Sequence, residues 1–168
     1  MFNFSSINLL TDIKYNPSQE NIGCCTPSAT LLAAEILYNR THKPITFSRL
    51  YLYYMTRKLQ GRIGQKGAEL RMTMQALSNS GVCLDILWPL RKSLVDKEPS
   101  MKATEDAVNY KLLSYEEIFD YNYKRYLDIG IPVVIGVNTG RKFWTLKGSI
   151  SDHNYIPIND TDNRYSRG

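Results

Sequence analysis

The sequence predicts an α+β domain: a mainly helical half over residues 1–109 and a β half over residues 110–168. Three observations predict it. Apolar residues recur at helical spacing in three separate stretches before residue 81. A β-branched run, IPVVIGV, lies between Gly130 and Asn138 and has the length and composition of a buried strand. The chain of 168 residues, 43% hydrophobic and 22% charged, is long enough for one domain with a sizeable core.

Residues 1–17 read as an extended lead-in with Pro17 as punctuation. The first helix runs from Thr26 to Asn39, with Ala29, Leu32, Ala33, Ile36 and Leu37 at helical spacing. Pro27 fits its first turn, where a missing N–H costs nothing. Ser48 then caps RLYLYYMTRKL, whose Leu50, Tyr53, Tyr54 and Leu59 form an apolar face. GRIGQKG, residues 61–67, is a glycine-punctuated loop. Ala68 to Ser80 is a third helix with Leu70, Met74 and Leu77 inward, and Gly81 is its stop. Residues 91–110 are polar and loop-like, with a short helical piece over 104–109. A strand is expected over 110–113, and a helix over 115–129 that turns Ile118, Tyr121, Tyr126 and Leu127 inward.

Charge excludes some functions. The net charge is +5, but the basic residues are scattered. Arg57, Lys58 and Arg62, like Arg91 and Lys92, are short clusters that read as solvated faces. The 12 tyrosines are not interleaved with Arg or Lys as a base-stacking platform would be, so no nucleic-acid partner is expected. No apolar run approaches the roughly 20 residues of a membrane span, so no membrane partner is expected. Three cysteines, two of them adjacent, do not make a disulfide framework, which points to a reducing compartment. No cysteine pair has zinc-finger spacing and the two histidines stand apart, so no metal and no cofactor are expected. The N-terminus lacks the basic region of a secretory signal.

The chemistry concentrates in Ser18–Tyr38, SQENIGCCTPSATLLAAEILY. It brings a glutamine, a glycine and two cysteines to the start of a helix. The exposed N–H groups and the positive end of a helix dipole favour a thiolate, the nucleophilic form of cysteine. A cysteine pair there is either a reactive site or two small buried residues, and these residues alone leave both readings open.

Gln19, five residues, then Cys25, with Gly23 before it and Thr26 after it, resembles the active-site segment of papain-like cysteine peptidases of the C1 family, in their bacterial and viral branch. Cys24 stands where that family usually has Ser or Gly, and Glu20 replaces the usual glycine after the glutamine. Further motifs resemble the family in the same order. Ser48-Arg49-Leu50 with Tyr53-Tyr54, the glycine loop, Ala68-x-Leu70-Arg71, Gly81-Val82-Cys83 and Trp88-Pro89 precede Gly130-x-Pro132-Val133, and Gly140, Phe143, Gly148 and Ile150 follow. The resemblance covers residues 10–150 and implies a papain-like fold with thiol-dependent peptide hydrolysis as the family activity. It implies Cys25 as nucleophile, Gln19 as oxyanion donor, and Gly67 with Ala68 on the wall that bonds a peptide or protein substrate. For Gly67, a close backbone approach and an ordinary helix-start turn both fit. Secreted members of the family carry a long segment ahead of the glutamine. None precedes Gln19 here, so an intracellular location or one within a virus particle is expected.

The resemblance also implies a histidine opening a central strand and, later, an Asn-Ser-Trp-Gly. Neither pattern is present. The late histidine, His153, lies in GSISDHNYIPIND, where Pro157 would break a central strand. It is either the general base in an unusual loop or a surface loop residue. Asn154, Asn159 and Asn163 all lie in turn-like sequence, and His42 belongs to a turn at the wrong end of the first helix. The β half is therefore expected to be truncated, stopping before the histidine strand. Other protein chains would cover what it leaves open. On this reading the chain alone is incomplete or inactive as a peptidase. The alternative is a non-catalytic papain-fold binding or structural component of a larger assembly such as a virion.

Overall fold

The computed structural model describes residues 9–13, 19, 21–119 and 122–137. The chain divides into two compact units, Met1–Val134 and Ile135–Gly168. In the first, a short 3-10 turn over Leu9–Asp12 precedes five helices: α1 (Cys25–Asn39), α2 (Arg49–Leu59), α3 (Leu70–Ser80), α4 (Met101–Ala107) and α5 (Tyr123–Asp128). In the second, the described residues 135–137 carry no regular secondary structure.

The centre of the first unit is α2, which packs on both α1 and α3. Its start is fixed by Ser48, whose hydroxyl accepts from the N–H of Tyr51 at 3.0 Å and donates to the Trp88 carbonyl. Leu50, Tyr51, Leu52, Tyr53 and Tyr54 are all buried, and before Lys58 only Met55 is partly exposed. Leu59 ends up exposed rather than inward, because the core closes before the last turn.

Two arginines go inside with α2. Arg49 makes a bidentate pair with the buried carboxylate of Glu35 on α1, the second contact at 2.8 Å, and also donates to the Phe47 carbonyl at 2.8 Å. Glu35 accepts in addition the Phe47 N–H at 2.7 Å. Buried charges persist only when paired in this way. The pair corrects the expected orientation of α1. Its core face is Pro27, Thr30, Leu31, Glu35 and Ile36, while Ala29 and Leu37 face outward. Arg57 is likewise buried rather than on a solvated face.

Helix α3 buries Thr73, Ala76 and Leu77, with Leu70 and Met74 half-buried at its edge. It stops at Gly81, whose φ of 73° lies in the left-handed region and whose position leaves no room for a Cβ beside the Ala107 carbonyl. Beyond it, Phe47 and Leu84 form an antiparallel bridge, flanked by Ser48 N–H to the Cys83 carbonyl and Asp85 N–H to the Thr46 carbonyl, both 2.9 Å. Helix α4 is capped by Ser100, which accepts from the Ala103 N–H at 3.3 Å.

The described part of the expected β half differs from its prediction. Residues 110–113 and 131–137 are not strands, and among the described residues no strand is formed at all. Ile131, Ile135 and Val137 are exposed. A β-branched run supplies the propensity for a strand, but a strand needs a neighbour to pair with. The expected helix over 115–129 shrinks to α5, with Tyr126 and Leu127 half-buried. Gly140, Phe143, Gly148, Ile150, His153 and the three late asparagines lie outside the described residues.

Candidate active site

Gly23 adopts a φ of 78°, which turns the chain sharply into α1. Cys24 follows as the N-cap and Cys25 is the first helical residue. Successive helical positions are rotated by about 100°, so two neighbours cannot share a face. Cys24 is fully buried with Ile22 and Leu31, its sulfur 3.7 Å from the Ser28 hydroxyl. Burial pushes its thiol above the ordinary cysteine value. Cys25 is exposed, its sulfur 3.9 Å from the Thr26 hydroxyl. The third cysteine, Cys83, is buried, and loss of solvation pushes its thiol up to about 12. Exposure therefore separates the three thiols, and Cys25 is the accessible one.

The backbone N–H of Cys25 belongs to the first turn of α1, where no intrahelical acceptor exists. Gln19 is half-buried six residues earlier; its backbone carbonyl accepts from the Ile22 N–H at 3.4 Å. Its side-chain oxygen is buried and has no hydrogen-bond partner among the described residues.

The glycine loop lies against this turn. A Cβ placed on Gly23 would sit 4.0 Å from the Cβ of Lys66. Gly67, with a φ of 90°, donates its N–H to the Tyr53 hydroxyl at 3.1 Å. Gly67 and Ala68 are half-buried. The loop is tied to α2 again by Arg57, which donates to the Gln65 carbonyl at 3.3 Å. Reading the sequence by motif misses this link. Its signal is the spacing of Arg49, Tyr53 and Arg57, four residues apart on one helix face.

Of the histidines, His42 sits beyond the far end of α1, stacked on Tyr38 with ring centroids 4.2 Å apart. Its Nδ1 lies 2.8 Å from the Thr41 hydroxyl. The length of α1, about 1.5 Å per residue, keeps it roughly 20 Å from Cys25. A groove lined by Met55, Lys58, Leu59, Ala76, Asn79 and Ser80 lies between α2 and α3, and it includes neither Cys25 nor Gln19. Among the described residues no group of His, Cys, Asp and Glu is arranged to hold a metal ion, and no helix is long and apolar enough to cross a membrane.

No protein-family model and no curated protein matches this chain. Among solved structures it is similar to xylellain, a cysteine protease from Xylella fastidiosa, with 27% identity and a TM-score of 0.65. The match covers 70% of this chain and 51% of xylellain, so the chain spans about half the length of that protein. The likeness supports the papain-like cysteine protease fold read from the sequence motifs.

Proposed function

We propose that this chain carries the nucleophile side of a papain-like cysteine peptidase site, with Cys25 as the attacking thiol. The single observation behind this reading is the split between the adjacent cysteines. Cys24 is sealed in the core while Cys25 is exposed at the first turn of α1, on a fold similar to that of a cysteine protease. In the reaction the Cys25 sulfur adds to the scissile carbonyl carbon and its proton passes to a base. The resulting oxyanion accepts hydrogen bonds from the Cys25 N–H and the Gln19 amide. The amine leaves with a proton, and water then cleaves the thioester. Gly67 and Ala68 form the wall along which a peptide or protein substrate lies.

The base is the open part of the site. His42 is too distant, and the reading of His153 rests on sequence alone, in a stretch interrupted by Pro157. The chain by itself is therefore expected to be alkylated at Cys25 without turning over peptides, its general base and orienting Asn coming from elsewhere. A non-catalytic binding or structural role in a larger assembly, a virion included, shares that expectation. The experiment is a peptidase assay on the 168-residue chain beside its Cys25→Ser and His153→Ala variants. No turnover is expected in any of the three. Turnover by the parent chain that disappears in His153→Ala would make His153 the general base and end the incomplete reading. Turnover that survives Cys25→Ser would remove Cys25 as nucleophile.

A further inference from the structure

We propose that Tyr53 and Arg57 are positioning residues that hold the 62–67 loop in its peptide-binding shape beside Cys25. The proposal rests on the reading of Gly67 and Ala68 as the peptide-contacting wall. Four observations carry it. The Tyr53 hydroxyl accepts the Gly67 N–H at 3.1 Å, at the residue whose φ of 90° makes the loop turn. The Arg57 guanidinium lies over the Tyr53 ring, 4.1 Å from its centroid, and donates to the Gln65 carbonyl at 3.3 Å. The Arg57 backbone carbonyl accepts the Arg62 N–H at 2.8 Å. The loop so held borders the turn that delivers Cys25: a Cβ built on Gly23 would sit 4.0 Å from the Lys66 Cβ.

Tyr53 and Arg57 are both essentially fully buried, so packing fixes the two side chains whose polar ends reach the half-buried Gly67 and the exposed Gln65. The Arg57 Nη1 that reaches Gln65 also donates to Asp96 at 2.6 Å, and Nη2 donates to the Val95 carbonyl. One buried stripe of α2 thus fixes the loop at residues 62, 65 and 67. Core packing alone would ask only for the tyrosine ring. The hydroxyl has the specific task of holding the Gly67 amide, and with it the conformation that Gly67 and Ala68 present to a peptide.

The test compares two reagents on the full chain: iodoacetamide, which reads the Cys25 thiol alone, and the fastest member of a tripeptidyl chloromethyl ketone set, which also reads peptide recognition. The measured quantity is the ratio of the chloromethyl ketone rate to the iodoacetamide rate. Tyr53→Phe keeps the ring under Arg57 and removes the acceptor. It is expected to lower the ratio about fivefold, the effect of one net hydrogen bond, with the iodoacetamide rate unchanged. Tyr54→Phe, which removes a hydroxyl from the next residue, is expected to leave the ratio alone. If Tyr53→Phe keeps the parent ratio, or slows both reagents equally, the positioning role is wrong while the peptide site stands. If the parent chain's ratio is no higher than that of free cysteine, the peptide-binding reading fails and takes this inference with it.

Discussion

At the scale of single residues, burial decides which of several similar groups is available for chemistry. Cys24 and Cys25 are identical in covalent terms and adjacent, yet the turn at Gly23 and the rotation of α1 put one in the core and one outside. The Gln19–Cys25 spacing points to the second cysteine, and that residue is the exposed one. Asp85 shows the same principle acting on a carboxylate. Loss of solvation raises its proton affinity above the ordinary value of 3.8, and the Arg49 charge only partly opposes this. A carboxyl whose folded value is raised favours the native state while protonated and costs stability once ionised. The cost sets in as pH rises from about 3.8 through the raised value. Asp85→Asn should therefore raise Tm modestly at pH 7, and the gain should fade as pH falls through the raised value and be gone below about 3.8. Thermal melts of both proteins at about pH 3.5 and pH 7 check it; an equal difference at the two values would remove Asp85 titration as the cause.

At the scale of elements, the helices are legible in the sequence where their signals are local, and misread where a distant partner matters. Ser48, the apolar run after it and Gly81 mark the start of α2 and the end of α3 from residue types alone. The core face of α1 is not legible from apolar spacing, because Glu35 counts as polar in any periodicity yet lies inside against Arg49. The pairing is visible only once α1 and α2 are packed. It also makes a sharp expectation for the junction of these helices. Glu35→Gln keeps the shape and a carbonyl for the Phe47 N–H but removes the carboxylate hydrogen-bonded to the buried Arg49 charge. Urea unfolding should show a loss of about 3–5 kcal/mol. A loss below about 1 kcal/mol would mean that the pair is not what joins α1 to α2. The run over residues 131–137 misleads in the opposite sense. Its composition is that of a strand, but pairing is a property of two segments, and none of the described segments pairs with it.

At the scale of the molecule, the described structure is a helical body with the candidate thiol at the start of α1 and a glycine loop laid against it. The order of motifs from Gln19 to Trp88 makes this half of a papain-like fold legible, because each motif is a local demand: a sharp turn, a cap, a close approach. The expected β half is another matter: among the described residues its expected strands over 110–113 and 131–137 do not form, since strand pairing depends on a second segment. We propose Cys25 as the reactive thiol of a peptide-binding site. The most direct measurement is mass-spectrometric mapping of the adduct formed when the native chain meets a peptidyl chloromethyl ketone at sub-stoichiometric amounts. The expected result is one adduct, on Cys25, with Cys24 and Cys83 modified only after denaturation. An adduct shared among the cysteines, or found first on Cys24 or Cys83, would contradict it.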